Sequence, residues 1–358
     1  MSGPAAGRAR ARLGWRGALG ILLSAGLLVW TLRGVPLADV WRELRHSNLW
    51  LFAASTACAT LIFPLRALRW RAILEPVAPA LPFGLLWRST AIGMMVNNVV
   101  PARAGEIARA FALTRGTDRV GFAAAFASIA VDRVFDAVVL LLLLCVAMLD
   151  PAFPGGAEVA GRPVAQWIGG WGSLAVLLML ASFYVIVLFP ARIVALFELF
   201  ARRVAPRVEE QGRRAILTFA SGLGVLRSPR RFATVFAWTL AHWLLHALGF
   251  WLGFQAVSMV APFSAALFLQ GLIAIGVAVP SAPGFFGIFE ALAKSGLSGV
   301  YGVPETLAVS WAIGYHLLSF LPITVIGAVY FARLGMHLRD VEDADQEPQA
   351  RATPPTAA

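Results

Sequence analysis

Arginines and carboxylates recur at helical spacing inside stretches that are otherwise apolar. Arg103, Glu106 and Arg109 lie three residues apart, so on a helix they share one broad face, with Glu106 in reach of either guanidinium. They follow Asn97, Asn98 and Pro101, where an apolar helix has to stop. A helix that opens after a proline points its free amides and the positive end of its dipole at whatever fills the break. Such an arrangement suits a phosphate or another anion; a buried structural ion-pair network is the alternative. Arg66 and Arg69 are also three apart and could grip one phosphate together, or simply mark the end of a span at the inner interface. Asp132 and Asp136 share a helix face with Arg133 between them. They either line the same cavity or brace the Arg103/Arg109 helix, and bracing is the preferred reading.

A second break follows in the other half of the chain. Pro280, Ser281, Pro283 and Gly284 halt an apolar run, and Gly287 and Glu290 begin a new helix. Glu290 precedes Lys294 by four residues, the favoured order for an intrahelical pair. It either makes that pair or faces the cavity as a proton or substrate partner. His242 and His246, four apart, and His316 could in principle bind a metal. No acidic or cysteine ligand accompanies them, so hydrogen bonding between helices or lining a cavity is preferred. No metal or cofactor is expected. The chain has no P-loop, nucleophile elbow, zinc-protease motif or dinucleotide fingerprint.

These residues need elements to hold them, and the composition says which. The 358 residues are 59% hydrophobic and 14% charged, with a mean hydropathy of +0.75. Soluble domains carry about 25% charged residues, so the chain reads as an all-α polytopic membrane protein. A charge near the bilayer centre costs about 2.5–3.5 kcal/mol on the insertion scale, so such residues face a partner or a cavity. A matched pair of interrupted apolar segments is the best sequence pointer to a carrier's binding site. The net charge of +11 fits arginines flanking spans beside anionic lipid, and nucleic-acid binding is excluded. Cys58 and Cys145 lie in apolar runs and form no disulfide framework.

Six full spans are expected, over 15–32, 49–64, 121–149, 171–190, 232–257 and 305–331. Two further apolar stretches, 83–100 and 263–280, lead into the breaks. The first span is expected to stay uncleaved. Arginine bias places 191–231 in the cytoplasm and 150–170 outside, with both termini cytoplasmic. For that parity to hold, 83–119 and 263–299 each re-enter as a hairpin or cross twice, from opposite faces, as in an inverted-topology repeat. The division is then a basic N-terminus (1–14), a membrane domain (15–331, halves 15–149 and 171–331) and a disordered acidic tail (337–358). Within the domain, 191–219 is either an interfacial amphipathic helix or a topogenic linker.

Together these motifs resemble the membrane region of the lysyl-phosphatidylglycerol synthases, the flippase-like integral membrane proteins. The resemblance rests on Arg66-x-x-Arg69-Trp70, Asn98-x-x-Pro101-x-Arg103-x-Gly105-Glu106-x-x-Arg109, Asp132-Arg133-x-x-Asp136 and Pro280-Ser281-x-Pro283-Gly284-x-x-Gly287-x-x-Glu290, and covers about 15–331. It implies the movement of an anionic, aminoacylated or polyprenyl-phosphate-linked lipid between leaflets of the inner membrane. Where similar proteins often carry an arginine in the last span, this chain has His316. It runs 27 residues beyond Phe331, without a soluble aminoacyl-transferring domain, so lipid lysylation is not expected.

The expected function is therefore translocation, with anionic lipids as partners and Arg103 and Arg109 on the phosphate. The rivals are a membrane-embedded transferase with Asp132, Asp136 or Glu290 as base, and a non-catalytic partner of a lipid-synthesising enzyme or glycosyltransferase.

Overall fold

A computed structural model describes residues 15–100, 104–154, 228–277 and 282–336, with a few positions between 156 and 199. Arg103, Ser281, the basic N-terminus and the acidic tail lie outside the described residues, as does most of the 171–231 region expected to hold a span and an interfacial helix.

The described elements are helices, apart from two-residue strands β1 (Glu158–Val159) and β2 (Arg162–Pro163) paired antiparallel. In chain order the helices are α1 (Trp15–Leu32), α2 (Leu37–His46), α3 (Leu49–Leu74), α4 (Phe83–Val99), α5 (Gly105–Gly116) and α6 (Phe122–Leu149). Then come α7 (Pro229–Ala256), α8 (Phe263–Gly276), α9 (Ile288–Lys294) and α10 (Glu305–Arg333). A single 3-10 turn, Pro283–Phe285, precedes α9, and a π-helical turn, Ser295–Val300, follows it.

Local chemistry sets the ends. The Asn48 side chain accepts from the amides of Trp50 and Leu51 at 3.0 and 3.2 Å and starts α3, satisfying donors that a helix N-terminus otherwise leaves free. Ser228 caps α7, with Pro229 in its first turn. Helices α3, α7 and α10 are long and apolar enough to cross a membrane, and α1 with α2, bent by 81°, makes a fourth candidate. Helix α6 has 28 residues, about 42 Å, and carries Asp132, Arg133 and Asp136 within it. Leu61, Ile275, Leu321 and Val325 are more than half exposed on the surface of the bundle, which suits lipid rather than water.

The span expected over 49–64 is corrected. Helix α3 continues through Pro64 to Leu74, so Arg66 and Arg69 sit inside a helix and are buried instead of following a span at an interface. A proline inside a helix costs one hydrogen bond, and packed neighbours in a membrane bundle absorb that loss.

At the centre α3 and α7 pack side by side over their length. Ser55 Oγ donates to the Gly249 carbonyl at 2.6 Å, so the Gly249/Gly253 pair serves this seam. The remaining packing obeys one exchange: replace α3, α4, α5 and α6 by α7, α8, α9 and α10, and the set of touching helix pairs maps onto itself. Helix α4 lies on α10 as α8 lies on α6; α5 lies on α6 as α9 lies on α10. Helices α1 and α2 stand outside the exchange, packed on α9 and α10.

Candidate functional site

Three helices bring the charged residues together. From α6, Asp132 Oδ1 lies 2.6 Å from Arg69 Nε of α3, and neither side chain has any solvent exposure. Arg69 also donates to Asp136 Oδ1 at 2.5 Å. From α5, Arg109 donates to Asp132 Oδ2 at 3.1 Å and lays its guanidinium 3.9 Å above the Trp70 ring. Trp70 in turn donates to Ser128 Oγ at 2.8 Å. Arg133 donates to Glu106 Oε1 at 2.8 Å and to Asp136 Oδ2 at 3.4 Å. Trp243 of α7 completes the set with a 2.9 Å bond to Asp136 Oδ1. Buried ions each cost several kcal/mol unless geometry and hydrogen bonds compensate, and here Asp132 and Asp136 brace α3, α5 and α6.

The described residues of this cluster hold four arginines (66, 69, 109, 133) against three carboxylates (106, 132, 136), an excess of one positive charge. Of the four, Arg66 is paired at the greatest distance, while Arg69, Arg109 and Arg133 also keep buried nitrogens without hydrogen-bond partners. Arg66 reaches Asp132 Oδ2 only at 3.9 Å, offers another N–H to Met94 Sδ at 3.9 Å, and has a buried Nε with no hydrogen-bond partner.

A cavity of about 460 Å³ lies against the cluster, walled by α3, α4, α6, α7, α8, α9, α10 and the 3-10 turn. Of the residues singled out by sequence as site residues, Arg66, Asn98, Arg133, Asp136, Gly284 and His316 line it, and Asn97 joins them from α4. Arg69, Arg109 and Asp132 stand behind that wall, and Glu106 meets it through Arg133. Asn98 ties α4 to α10 through Thr324 at 2.7 Å. The α4–α5 hairpin closes where Asn97 Oδ1 accepts from the Gly105 amide at 2.8 Å. A Cβ on Gly105 would fall 2.1 Å from the Gly93 carbonyl, so the two helices touch through backbone.

At the opposite wall the second break takes an irregular path. Helix α8 ends at Gly276, Gly284 and Gly287 have φ of +67° and +87°, and α9 begins at Ile288. Pro283 opens the 3-10 turn. Glu290 turns back on its own helix start and accepts from the Gly287 amide at 2.6 Å through Oε2. Its Oε1 lies 2.6 Å from His316 Nδ1, while His316 Nε2 lies 2.8 Å from the Gly284 carbonyl. The ring thus bridges the Glu290 carboxyl of α9 and the Gly284 carbonyl of the 3-10 turn, tying α10 to both sides of the break. It sits between the rings of Phe286 and Phe289, at 4.4 and 4.5 Å. The Glu290–Lys294 pair open in the sequence does not form. Lys294 bonds Glu305 at 2.7 Å and the Thr31 carbonyl at 3.2 Å, because capping and His316 take up the carboxylate. Helix α1 seats on this break, with Ser24 Oγ accepting from the Ala282 amide at 2.8 Å.

His242 and His246, expected to line a cavity or to bond between helices, do line it, whereas Trp243, Gln270 and Tyr315 were not singled out. The His242/His246 spacing pointed to that face of α7, where Trp243 also lies; Gln270 and Tyr315, on α8 and α10, had no such signal. His242 Nδ1 lies 3.2 Å from the Ile62 carbonyl and His246 Nδ1 3.2 Å from Gln270 Oε1. Among the described residues no group of three or more His, Cys, Asp or Glu is placed to hold a metal.

The model of the family described as Lysylphosphatidylglycerol synthase TM region matches residues 17–327. Two UPF0104 membrane proteins of Methanothermobacter thermautotrophicus are similar along most of their length. One is 25% identical over 337 residues, covering 87% of this chain and 91% of the relative. The other is 24% identical over 325 residues, 82% and 87% of the two chains. Glycosyltransferase AglD of Haloferax volcanii is 29% identical over 151 residues, 42% of this chain, which thus spans about a quarter (24%) of that protein.

Proposed function

This chain belongs to the lysylphosphatidylglycerol synthase transmembrane-region family, and from that premise we propose that it carries the anionic headgroup of a membrane lipid between leaflets. The observation that carries this is Arg66: a cavity-lining guanidinium, in a cluster whose described residues carry one positive charge in excess, and whose ion pair among them is stretched to 3.9 Å. A phosphate entering the cavity supplies the missing charge and bidentate acceptors for the fork. Arg133 stands beside it on the same wall. Arg109, also expected to hold phosphate, acts here as a brace through Asp132.

The surrounding architecture supports movement through this site. Helices α4 and α8 have 17 and 14 residues, about 26 and 21 Å, both short of a hydrocarbon core about 30 Å thick. We read α4–α5 and α8–α9 as hairpins re-entering from opposite faces, between six full spans, in an inverted repeat. The exchange symmetry of the packing supports that reading. The arginine bias then puts both termini and 191–231 in the cytoplasm. The headgroup crosses in the cavity while its tails stay in lipid.

Proteoliposomes with a fluorescent phosphatidylglycerol in both leaflets test this. Wild type should expose inner-leaflet lipid to an impermeant quencher, and Arg66→Ala should not. Full transport by a folded Arg66→Ala protein would refute the assignment.

The likeness to a glycosyltransferase over 151 residues favours a second reading, a transferase or a partner of one. Glu290, the base such an enzyme would use, is 2% exposed and engaged by Gly287 and His316, which supports transport instead. Mass spectrometry of lipids incubated with the protein and nucleotide-sugar donors decides: a new lipid mass would favour catalysis.

A further inference from the structure

Beyond Arg66 the cavity has a second, differently built wall. Its rings follow one another without a gap: Trp243 to His246 at 5.4 Å, His246 to Phe250 at 4.5 Å, Phe250 to Tyr315 at 4.8 Å. Phe289 then joins Tyr315 at 6.1 Å to His316 at 4.5 Å. Within this wall Gln270 is 1% exposed, and its Nε2 is buried with no hydrogen-bond partner. A buried amide donor left unmet costs about 1–3 kcal/mol, so a donor of this kind at a cavity marks a place for an incoming acceptor.

The same wall has no counter-charge to give. Among the described residues Asp136 is the carboxylate lining the cavity, and Arg69, Arg133 and Trp243 already occupy it. Glu290, one layer back, is taken by the Gly287 amide and His316. An ammonium placed here would lie between Arg66 and Arg133 at one end and, at the other, His316, whose two ring nitrogens are already engaged by Glu290 and the Gly284 carbonyl. Burying it without a carboxylate is heavily penalised.

We propose that the group borne by the lipid phosphate in this cavity is neutral and rich in hydroxyls, a polyol or sugar, and not a cationic aminoacyl group. The proposal rests on the anion-carrying reading above. The phosphate sits at Arg66. The polyol lies along the aromatic wall, where its C–H faces meet ring faces. A hydroxyl accepts from Gln270 Nε2, and others exchange hydrogen bonds with the Tyr315 hydroxyl and the His246 ring.

The test is binding to the purified full chain in detergent, read as thermal stabilisation across lipid titrations with matched acyl chains. The probes are phosphatidylinositol, phosphatidic acid, lysyl-phosphatidylglycerol and uncharged diacylglycerol. Phosphatidylinositol should bind about fivefold or more tighter than phosphatidic acid, the worth of one net hydrogen bond, and lysyl-phosphatidylglycerol more weakly than either. Gln270→Leu should remove the inositol advantage and leave phosphatidic acid binding unchanged. Gln270→Glu should reverse the preference by giving the lysyl ammonium its carboxylate.

Lysyl-phosphatidylglycerol binding wild type as tightly as phosphatidylinositol, or inositol and phosphatidic acid binding alike, would overturn the polyol assignment alone. If phosphatidic acid binds no better than diacylglycerol, or binds Arg66→Ala as well as wild type, the anion site itself fails and the polyol proposal falls with it.

Discussion

Arg69 and Asp132 meet at 2.6 Å with no solvent on either side chain, joining the middle of α6 to the last third of α3. The pair is the hub on which Arg109 and Asp136 also converge. Removing one member strands the others. Asp132→Ala should therefore destabilise the protein by about 3–5 kcal/mol, seen as a large fall in the thermal midpoint in detergent. The apolar double variant Arg69→Met/Asp132→Leu should recover a substantial part of it.

Arg66 and Arg109 should separate function from stability. Arg66→Ala removes a weakly paired, cavity-lining charge, so transport should be lost at a nearly unchanged midpoint, with Arg66→Lys intermediate because a point charge cannot reproduce the guanidinium fork. Arg109→Ala removes a bond to Asp132 and the stacking on Trp70. Its midpoint should fall. Paired melting and transport measurements check both.

Gly105→Ala should splay the first hairpin. The added methyl would meet the Gly93 carbonyl at 2.1 Å, and overpacking of this kind costs about 1–3 kcal/mol. The reading is a lower midpoint together with faster hydrogen exchange in α4 and α5; an unchanged protein would mean that the helices do not touch there.

Glu290→Gln keeps an oxygen for the Gly287 amide and removes the charge opposite His316. The Gly287 bond should survive and the bond to His316 should weaken, so the contact between α9 and α10 should loosen. A lower thermal midpoint with faster hydrogen exchange across Ile288–Lys294 is the expected reading. An unchanged protein would mean that the Glu290–His316 pair does not hold the break.

Single cysteines at two exposed positions test the hairpins in a background lacking Cys58 and Cys145. Asp118→Cys, after α5, should react with an impermeant thiol reagent only from the cytoplasmic side. Gly299→Cys, in the π-helical turn, should react only from outside. Labelling of both from one face would rule out opposed re-entry.

Much of this arrangement was legible in advance because it rests on local chemistry. The apolar stretches 83–100 and 263–280 became α4 and α8, and both breaks fell at the expected prolines and glycines. The four-residue spacing of Asp132 and Asp136 put both on one helix face, the face that meets Arg69. What the sequence could not give was the depth of Arg66 and Arg69. Pro64 looked like the end of a span, and only packing against neighbouring helices lets α3 run on to Leu74. The partner of Lys294 was hidden for a similar reason: Glu290, four residues away, is claimed by its own helix start and by His316 from α10, and Glu305 lies beyond the π-helical turn. Gln270 carried no local signal, since a lone glutamine in an apolar helix acquires meaning only from the cavity it meets.

The bond between Ser24 and the Ala282 amide joins residues 258 positions apart, and it has a consequence in time. At synthesis rates of about 5–20 residues per second, Ala282 leaves the ribosome roughly 13 to 50 s after Ser24. Throughout that interval α1 is without the break it holds in the finished fold. The second break, when it arrives, finds its partner already made, so this wall of the cavity is assembled against a helix synthesised long before it, and Tyr315 and His316 of α10 close on it afterwards.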